Sequence, residues 1–122
     1  MPPSGRVVLT HSPCGANEWG TMSKVVALVK MPAAPGKGKE LAEAMNFALE
    51  NAAKESGTRF YIIHADAANE DILWMYEMYD SQADMDAHMG SDWFKELGPK
   101  VGGFFGGAPE FHLLTPLGGK GL

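Results

Sequence analysis

The sequence predicts an α+β domain with the element order β-α-β-β-α-β, which is the ferredoxin-like or split-βαβ arrangement. Four short runs rich in β-branched and aromatic residues flank two longer stretches whose apolar residues recur at helical spacing. This order gives a four-stranded antiparallel sheet with its helices packed on one face. The other face would expose apolar side chains, and we expect a second copy of the chain to cover it.

The first half of the domain is predicted to form a strand, a helix and a second strand. "SKVVALVKM" (23–31) is a β-branched run bounded by a Pro- and Gly-containing turn. The helix covers "GKELAEAMNFALENAAKES" (38–56) and can end at Gly57, because glycine accepts the left-handed conformation common at helix ends. Its helical spacing is carried by Leu41, Met45, Ala48, Leu49 and Ala52. "TRFYIIHAD" (58–66) is the second strand.

The third strand and the last strand enclose the remaining helical segment. "DILWMYEMY" (71–79) is predicted to pair with the second strand as an antiparallel hairpin across the turn "AANE". "GGFFGGAPE" (102–110) is predicted to be a flexible loop, either a mobile lid or a simple linker. "FHLLTP" (111–116) then forms the fourth strand.

Two serine-containing patterns predict where the second helical segment begins and restarts. Ser81 is followed three places later by Asp84, which approximates a capping box at the start of a helix. Ser91 and Asp92 can cap a further short helix that runs to about Val101.

The chain has 122 residues, which suggests one domain of ordinary size. Residues 1–21 are rich in Pro, Gly and Ser and are interpreted as an N-terminal extension. The domain proper is expected to cover residues 22–116, and residues 117–122 form a C-terminal tail with little to bury.

Composition argues against several classes of partner. The formal net charge is −5 and no run of lysines or arginines occurs, so a nucleic-acid partner is not expected. No apolar stretch approaches the roughly 20 residues that span a bilayer, and no secretion signal is recognisable, so we expect a cytoplasmic protein without a membrane partner. Cys14 is the only cysteine, and with His11 it supplies too few ligands for zinc, so no metal site is predicted.

Strand alternation separates the candidate functional residues of the third strand into two faces. Trp74 shares one face with Tyr76 and Met78, whereas Glu77 shares the other with three apolar or aromatic residues. A carboxylate in the middle of a central strand must be solvated, paired or functional. Glu77 is therefore either a pocket-lining functional group or a structural hydrogen-bond partner.

His88 has two interpretations from the sequence. It lies four residues after Asp84, so the two can form a surface pair on one helix face. Alternatively it faces the sheet between Met85 and Met89, where a largely neutral imidazole could accept a proton. Periodicity does not decide between them.

Between Glu55 and Leu97 the chain carries a connected series of motifs. They are a glutamate-x-glycine turn, a strand tyrosine, an aromatic strand with a glutamate, a serine-initiated helix with a histidine, and a final S-x-x-F. These features stand at Glu55, Gly57, Tyr61, Glu77, Tyr79, Ser81, His88, Ser91 and Phe94. The stretch resembles the antibiotic biosynthesis monooxygenase family, including its quinol-monooxygenase branch.

The resemblance implies a ferredoxin-like protomer that pairs into a dimeric α/β barrel. It also implies oxidation of a small aromatic substrate, a quinol or polycyclic phenol, by molecular oxygen as co-substrate and without flavin, haem or metal. On that basis His88 is the candidate base, and Glu77 sets its charge or tautomer. The substrate-binding candidates are Tyr61, Trp74, Tyr79, Ser91, Trp93 and Phe94.

Other members of the same superfamily suggest alternatives. Haem-degrading relatives are disfavoured, because Gly98, Val29 and His88 stand where their histidine, asparagine and tryptophan would be expected. An isomerase of the autoinducer-processing type would need cationic groups at its pocket to hold phosphate. A non-catalytic dimeric binding protein on the same scaffold is the third alternative.

Overall fold

The elements follow the predicted order. A computed structural model of the chain describes residues 24–122, so the predicted N-terminal extension at 1–21 lies outside the described residues. The strands and helices are β1 (Val25–Pro32), α1 (Gly38–Ala44), α2 (Asn46–Ala52), β2 (Thr58–Asp66), β3 (Asn69–Tyr79), α3 (Gln82–Met89), α4 (Asp92–Val101) and β4 (Glu110–Leu114). None of the helices in this range has the length and apolar character that crossing a membrane requires.

The four strands form one antiparallel sheet in the order β2-β3-β1-β4. The register places Tyr61, Glu77, Ala27 and Leu113 side by side across the sheet. Residues directly opposite one another on neighbouring strands point to the same face of a sheet. Tyr61 and Glu77 line a cavity together with residues of α4, so the whole row points toward the helices. The predicted ferredoxin-like α+β fold is confirmed. The row includes Tyr61 and Glu77, two of the candidate functional residues.

The core lies between the inner face of the sheet and the helices. Its buried members from the sheet include Val29, Met31 and Met75, and those from the helices include Leu41 and Ala48. Burial of such side chains is worth roughly 1.5–3 kcal/mol each, so this layer dominates the stability of the fold. On the outer face, large apolar side chains remain partly open, namely Phe60, Ile62 and Leu114.

Two predicted segments differ from the structure. The single helix expected over 38–56 is divided into two at Met45 and ends at Ala52. Met45 keeps helical backbone angles and helical hydrogen bonds to Leu41 and Leu49, so the two helices follow each other without a loop between them. The loop 102–110 was expected to be flexible or a free linker. Instead it contains a one-turn 3₁₀ helix, Gly102–Phe104. Phe104 and Gly106 are hydrogen-bonded to Ala34 and to Pro32, the last residue of β1.

Asp71 fixes the turn between β1 and α1. Its two carboxylate oxygens accept hydrogen bonds of 2.9 Å from the backbone N–H groups of Gly36 and Gly38. We expect Asp71→Ala to lower the free energy of unfolding by about 2 kcal/mol, because a hydrogen bond to a charged acceptor is worth about 1.5–3 kcal/mol. Urea denaturation measures this, with the exposed neighbour Glu70→Ala as the control. Equal stability of the two variants would contradict the assigned role.

Candidate active site

The entry to α3 brings two distant parts of the chain together. Ser81 caps the helix by accepting a hydrogen bond from the N–H of Asp84, as the sequence predicts. A Cβ atom on Gly57 would overlap the carboxylate of Asp84, so only glycine lets the start of β2 approach this helix so closely. Glu55, two residues before Gly57, therefore lies against the last turn of α3.

Ser91 organises the junction between α3 and α4. Its hydroxyl donates a hydrogen bond of 2.7 Å to the carbonyl of His88 and accepts one of 3.3 Å from the N–H of Phe94. This is the predicted N-cap of the second short helix. Ser91 thus positions His88 and Phe94 through the backbone.

His88 is held by Glu55. The imidazole is 1% exposed, and its Nδ1 lies 2.8 Å from Glu55 Oε1. The same carboxylate accepts hydrogen bonds from the hydroxyl of Thr58 at 2.7 Å and the indole N–H of Trp93 at 2.9 Å. Burial alone would raise the pKa of Glu55, but these bonds to His88, Thr58 and Trp93 outweigh it and leave the pKa below its ordinary value.

An ionised Glu55 determines the tautomer of His88. A carboxylate only accepts hydrogen bonds, so the proton of a neutral His88 resides on Nδ1. Nε2 is then an unprotonated acceptor, buried and without a hydrogen-bond partner among the described residues. Aromatic rings surround the imidazole, with centroid distances of 5.0–5.3 Å to Tyr61, Tyr79, Trp93 and Phe94.

A cavity of about 130 Å³ lies on the inner face of the sheet beside this cluster. Its walls are almost wholly apolar, and their larger contributors include Met31, Met45, Met75, Phe94, Phe105 and Phe111. Two titratable residues, Tyr61 and Glu77, also line it, and they are adjacent across β2 and β3. His88 does not line this cavity; it contacts the rings of Tyr61 and Phe94, which do.

Burial in the wall of this cavity favours the neutral form of Glu77. It is 6% exposed, and burial raises its pKa to about 7, against the opposing effect of a hydrogen bond from the Tyr79 hydroxyl. Burial and the negative charge of Glu77 raise the pKa of both Tyr61 and Tyr79 far above the ordinary tyrosine value. At neutral pH Glu77 can therefore take up or release a proton, whereas the two tyrosines remain hydrogen-bond donors.

The family model for antibiotic biosynthesis monooxygenases matches residues 24–99, more than half of the chain. The chain belongs to the antibiotic biosynthesis monooxygenase family. The match covers every residue of the Glu55–His88 cluster and both titratable residues of the cavity. It ends before the loop and strand that complete the cavity at Phe105 and Phe111.

Solved structures share the fold of this antibiotic biosynthesis monooxygenase domain. A conserved protein of Methanosarcina mazei Go1 is 25% identical, with a TM-score of 0.71 over 79% of this chain and 95% of its own. Rv0793 of Mycobacterium tuberculosis is 22% identical, with a TM-score of 0.73 over 80% of this chain and 99% of its own. A Caulobacter crescentus CB15 protein whose name proposes an antibiotic biosynthesis monooxygenase is 24% identical, with a TM-score of 0.71 over 81% and 95%. No protein of curated function matches this chain.

Most of the residues that the resemblance singled out lie around the cavity, in two layers. Glu77, Tyr61 and Phe94 line the cavity itself. His88 lies behind them, with Tyr79 and Trp93 in contact with its ring. Within residues 24–122, no three His, Cys, Asp or Glu side chains converge as a metal ion would require.

Two details of the sequence-based site require correction. The carboxylate that fixes the tautomer of His88 is Glu55, whereas Glu77 is hydrogen-bonded to Tyr79. Trp74, a predicted substrate-binding residue, lies on the opposite face of the sheet because it alternates with Glu77 along β3. There its indole N–H donates a hydrogen bond of 3.0 Å to Asp66.

Sequence analysis did not assign a function to Glu55 or to the aromatic residues near the C-terminus. Glu55 stands in the glutamate-x-glycine turn of the family pattern, and that position was the available signal. The contributions of Phe105 and Phe111 depend on the pairing of β4 with β1, where Phe111 lies opposite Val29. No local motif marks either phenylalanine.

Proposed function

We propose that this protein is a monooxygenase that oxidises a quinol or related electron-rich phenol with molecular oxygen. The observation that carries the proposal is a small apolar cavity with a carboxyl group of pKa about 7 in its wall. Membership of the antibiotic biosynthesis monooxygenase family supports oxygenation of a small molecule. The substrate class and the roles below belong to the proposal.

The chemistry requires no electrons beyond those of the substrate. Loss of a proton from the phenol gives a phenolate, which is electron-rich enough to transfer an electron to oxygen. For a quinol, one oxygen atom forms a new C–O bond to the ring and the other leaves as water, carrying two hydrogens of the substrate. The product is a hydroxylated quinone, so substrate plus O₂ balances product plus water. Neither flavin, haem nor metal is required in this scheme.

Glu77 is the proposed proton acceptor. A base with a pKa near the working pH combines a substantial ionised fraction with effective proton transfer. Its position in the cavity wall lets a bound phenol reach it, and the apolar lining restricts access of water to the phenolate. Tyr61, adjacent to Glu77 across the strands, is placed to donate a hydrogen bond to the oxygen that loses the proton.

His88 has a different proposed role from the one that the family resemblance implies. Its Nδ1 is engaged by Glu55, and two cavity-lining rings separate it from the space where substrate would bind. We therefore assign it to positioning Tyr61 and Phe94, whose rings contact its imidazole. Its buried, unpartnered Nε2 keeps it a competing candidate for the base, and the mutants described in the Discussion distinguish the two residues.

A homodimer is part of the proposal. Phe60 and Ile62 of β2 are 39% and 45% exposed on the outer face of the sheet, and Leu114 of β4 is 49% exposed there. A second sheet packed on this face would bury them, which agrees with the dimeric barrel implied by the family resemblance.

The walls of the cavity favour oxygenation over the isomerase alternative. Binding a phosphorylated substrate calls for lysine or arginine, and the part of the chain that the structure describes contributes neither to the lining of this cavity. A neutral phenol matches an apolar wall with one carboxyl group and one hydroxyl group.

Oxygen uptake tests the proposal. Metal-free and flavin-free protein is mixed with a panel of quinols and anthrones, and consumption is compared with a no-protein control that measures autoxidation. We expect uptake above autoxidation for at least one quinol, in a one-to-one ratio to product. Uptake equal to autoxidation throughout the panel, from protein shown to bind the same compounds, would identify a binding protein instead.

A further inference from the structure

The cavity opens toward a second compartment. An open groove of about 560 Å³ runs along the outside of α4, and five residues line both spaces, namely Phe94, Leu97, Val101, Phe105 and Pro109. These five residues form the boundary between the inner cavity and the outer groove. A ligand that extends beyond the cavity would therefore have to pass this boundary.

The inner cavity alone has room for one aromatic ring. An apolar cavity of about 150 Å³ engineered into another protein binds benzene. The cavity here measures about 130 Å³ and is only partly enclosed, so a second fused ring has to extend past the residues at its boundary. The boundary can therefore select ligands by their number of fused rings.

Four of the five boundary residues lie in α4 or directly before β4. Val101 is buried in the hydrophobic core, and Leu97 packs against that core. Phe94 contacts the rings of His88 and Trp93 at 5.3 and 5.8 Å. Pro109 directly precedes β4. Phe105 also packs against the core, but it stands on the loop between α4 and β4. Its ring contacts no other aromatic ring within residues 24–122.

Backbone contacts hold the loop that carries Phe105. The carbonyl of Phe104 accepts a hydrogen bond of 2.8 Å from Ala34, and the N–H of Gly106 donates one of 2.9 Å to the carbonyl of Pro32. A Cβ atom on Gly106 would lie 2.8 Å from the carbonyl oxygen of Ala33, so this close approach needs glycine. These backbone contacts hold the loop in addition to the packing of the Phe105 ring against the core, so we expect the loop to stay in place when this side chain is shortened.

From this geometry we infer that Phe105 determines substrate size, restricting the site to single-ring phenols by closing the inner cavity against the outer groove. The inference deepens the proposed function, on which it rests for the choice of phenols as ligands. Shortening Phe105 joins the two compartments into one apolar space with Glu77 at its inner end. The joined space accommodates a phenol of two fused rings with its hydroxyl still directed at Glu77.

Ligand binding without turnover tests this inference. Phenol and 2-naphthol are titrated into the protein under anaerobic conditions, and their dissociation constants are measured by calorimetry. We expect wild type to bind 2-naphthol about tenfold more weakly than phenol, a ratio typical of steric discrimination in an apolar pocket. Phe105→Ala is expected to reverse the ranking, with 2-naphthol bound more tightly and phenol more weakly.

The neighbouring Phe104 supplies a matched control. It is the same residue type, is also half-buried, and lines neither compartment, so Phe104→Ala should keep the wild-type ranking. If Phe105→Ala does not fold, Phe105→Leu removes the ring more conservatively and should shift the ranking in the same direction. An unchanged ranking in a folded Phe105 variant, or tight binding of 2-naphthol by wild type, would overturn the inference.

The anaerobic design separates this inference from the proposed function. Reversal of the ranking in a protein that consumes no oxygen would support the role of Phe105 and remove the monooxygenase proposal. Oxygen consumption with an unchanged ranking would support the monooxygenase proposal and overturn the role of Phe105.

Discussion

Replacing Glu77 with glutamine is expected to lower quinol turnover by about 100-fold to 10,000-fold, the usual contribution of a positioned general base. Glutamine keeps the length of the side chain and can still accept the hydrogen bond from Tyr79, but it cannot take up a proton. The affinity for an unreactive phenol should change little, because the apolar walls are unaltered. Oxygen uptake after subtraction of autoxidation gives kcat, and calorimetry gives the affinity.

Two further variants complete that experiment. Glu70→Gln changes an exposed carboxylate on the same strand and should leave turnover at the wild-type value. His88→Gln tests the alternative base. If His88→Gln folds normally and abolishes turnover while Glu77→Gln retains it, the proton acceptor is His88 and the assignment of Glu77 is wrong.

The pKa of Glu77 predicts how the reaction depends on pH. Because the pKa of Glu77 is raised to about 7, its ionised fraction increases about tenfold per pH unit below 7 and levels off above. We expect kcat/KM of the wild type to follow this curve. The residual activity of Glu77→Gln should not show this dependence on pH. A bend near pH 7 that persists in this variant would assign the titration to another group.

Glu77 is also expected to make the stability of the fold depend on pH. Its pKa is about 7 in the folded protein, whereas its ordinary value is 4.5, so the folded state holds the proton more firmly. The contribution is therefore fully present below pH 4.5 and is lost as the pH rises through 7. Since one pKa unit corresponds to about 1.4 kcal/mol, ionisation of Glu77 should cost the folded state about 3 kcal/mol.

Urea denaturation of wild type and Glu77→Gln at several pH values measures this cost. The variant should be the more stable protein above pH 7, and the difference should shrink toward pH 4.5. Glu55 makes a contribution of the opposite sign to the pH dependence of stability, because its pKa is lowered in the folded state. The stability that it contributes is lost as the pH falls below 4.5. It is present in both proteins and cancels in the comparison. Parallel stability curves would contradict a raised pKa for Glu77.

Local patterns in the sequence account for much of the fold. Strand β2 has the predicted bounds, 58–66, because aromatic and β-branched residues fill it from end to end. Ser81 and Ser91 cap α3 and α4 as expected, since each cap depends on atoms only three residues apart. The interruption at Met45 was not predicted, because apolar residues continue at helical spacing on both sides of it.

The site was less accessible to sequence reasoning than the fold. Alternation along β3 correctly set Glu77 and Trp74 on opposite faces, but it could not say which face the helices cover. The pair formed by Glu55 and His88 joins residues 33 positions apart, and it depends on how closely β2 and α3 approach. Contacts of this kind leave no periodic pattern, so the sequence does not identify Glu55 as the partner of His88.

Isotopic labelling tests the central claim most directly. A quinol that supports oxygen uptake is mixed with the protein under ¹⁸O₂, with no added reductant, flavin or metal, and the product is analysed by mass spectrometry. We expect one ¹⁸O atom in each hydroxylated quinone, the other in water, and formation of labelled product about 100-fold to 10,000-fold more slowly with Glu77→Gln. A product without ¹⁸O, or labelled product formed at equal rates by wild type and Glu77→Gln, would show that the cavity does not perform the proposed monooxygenation.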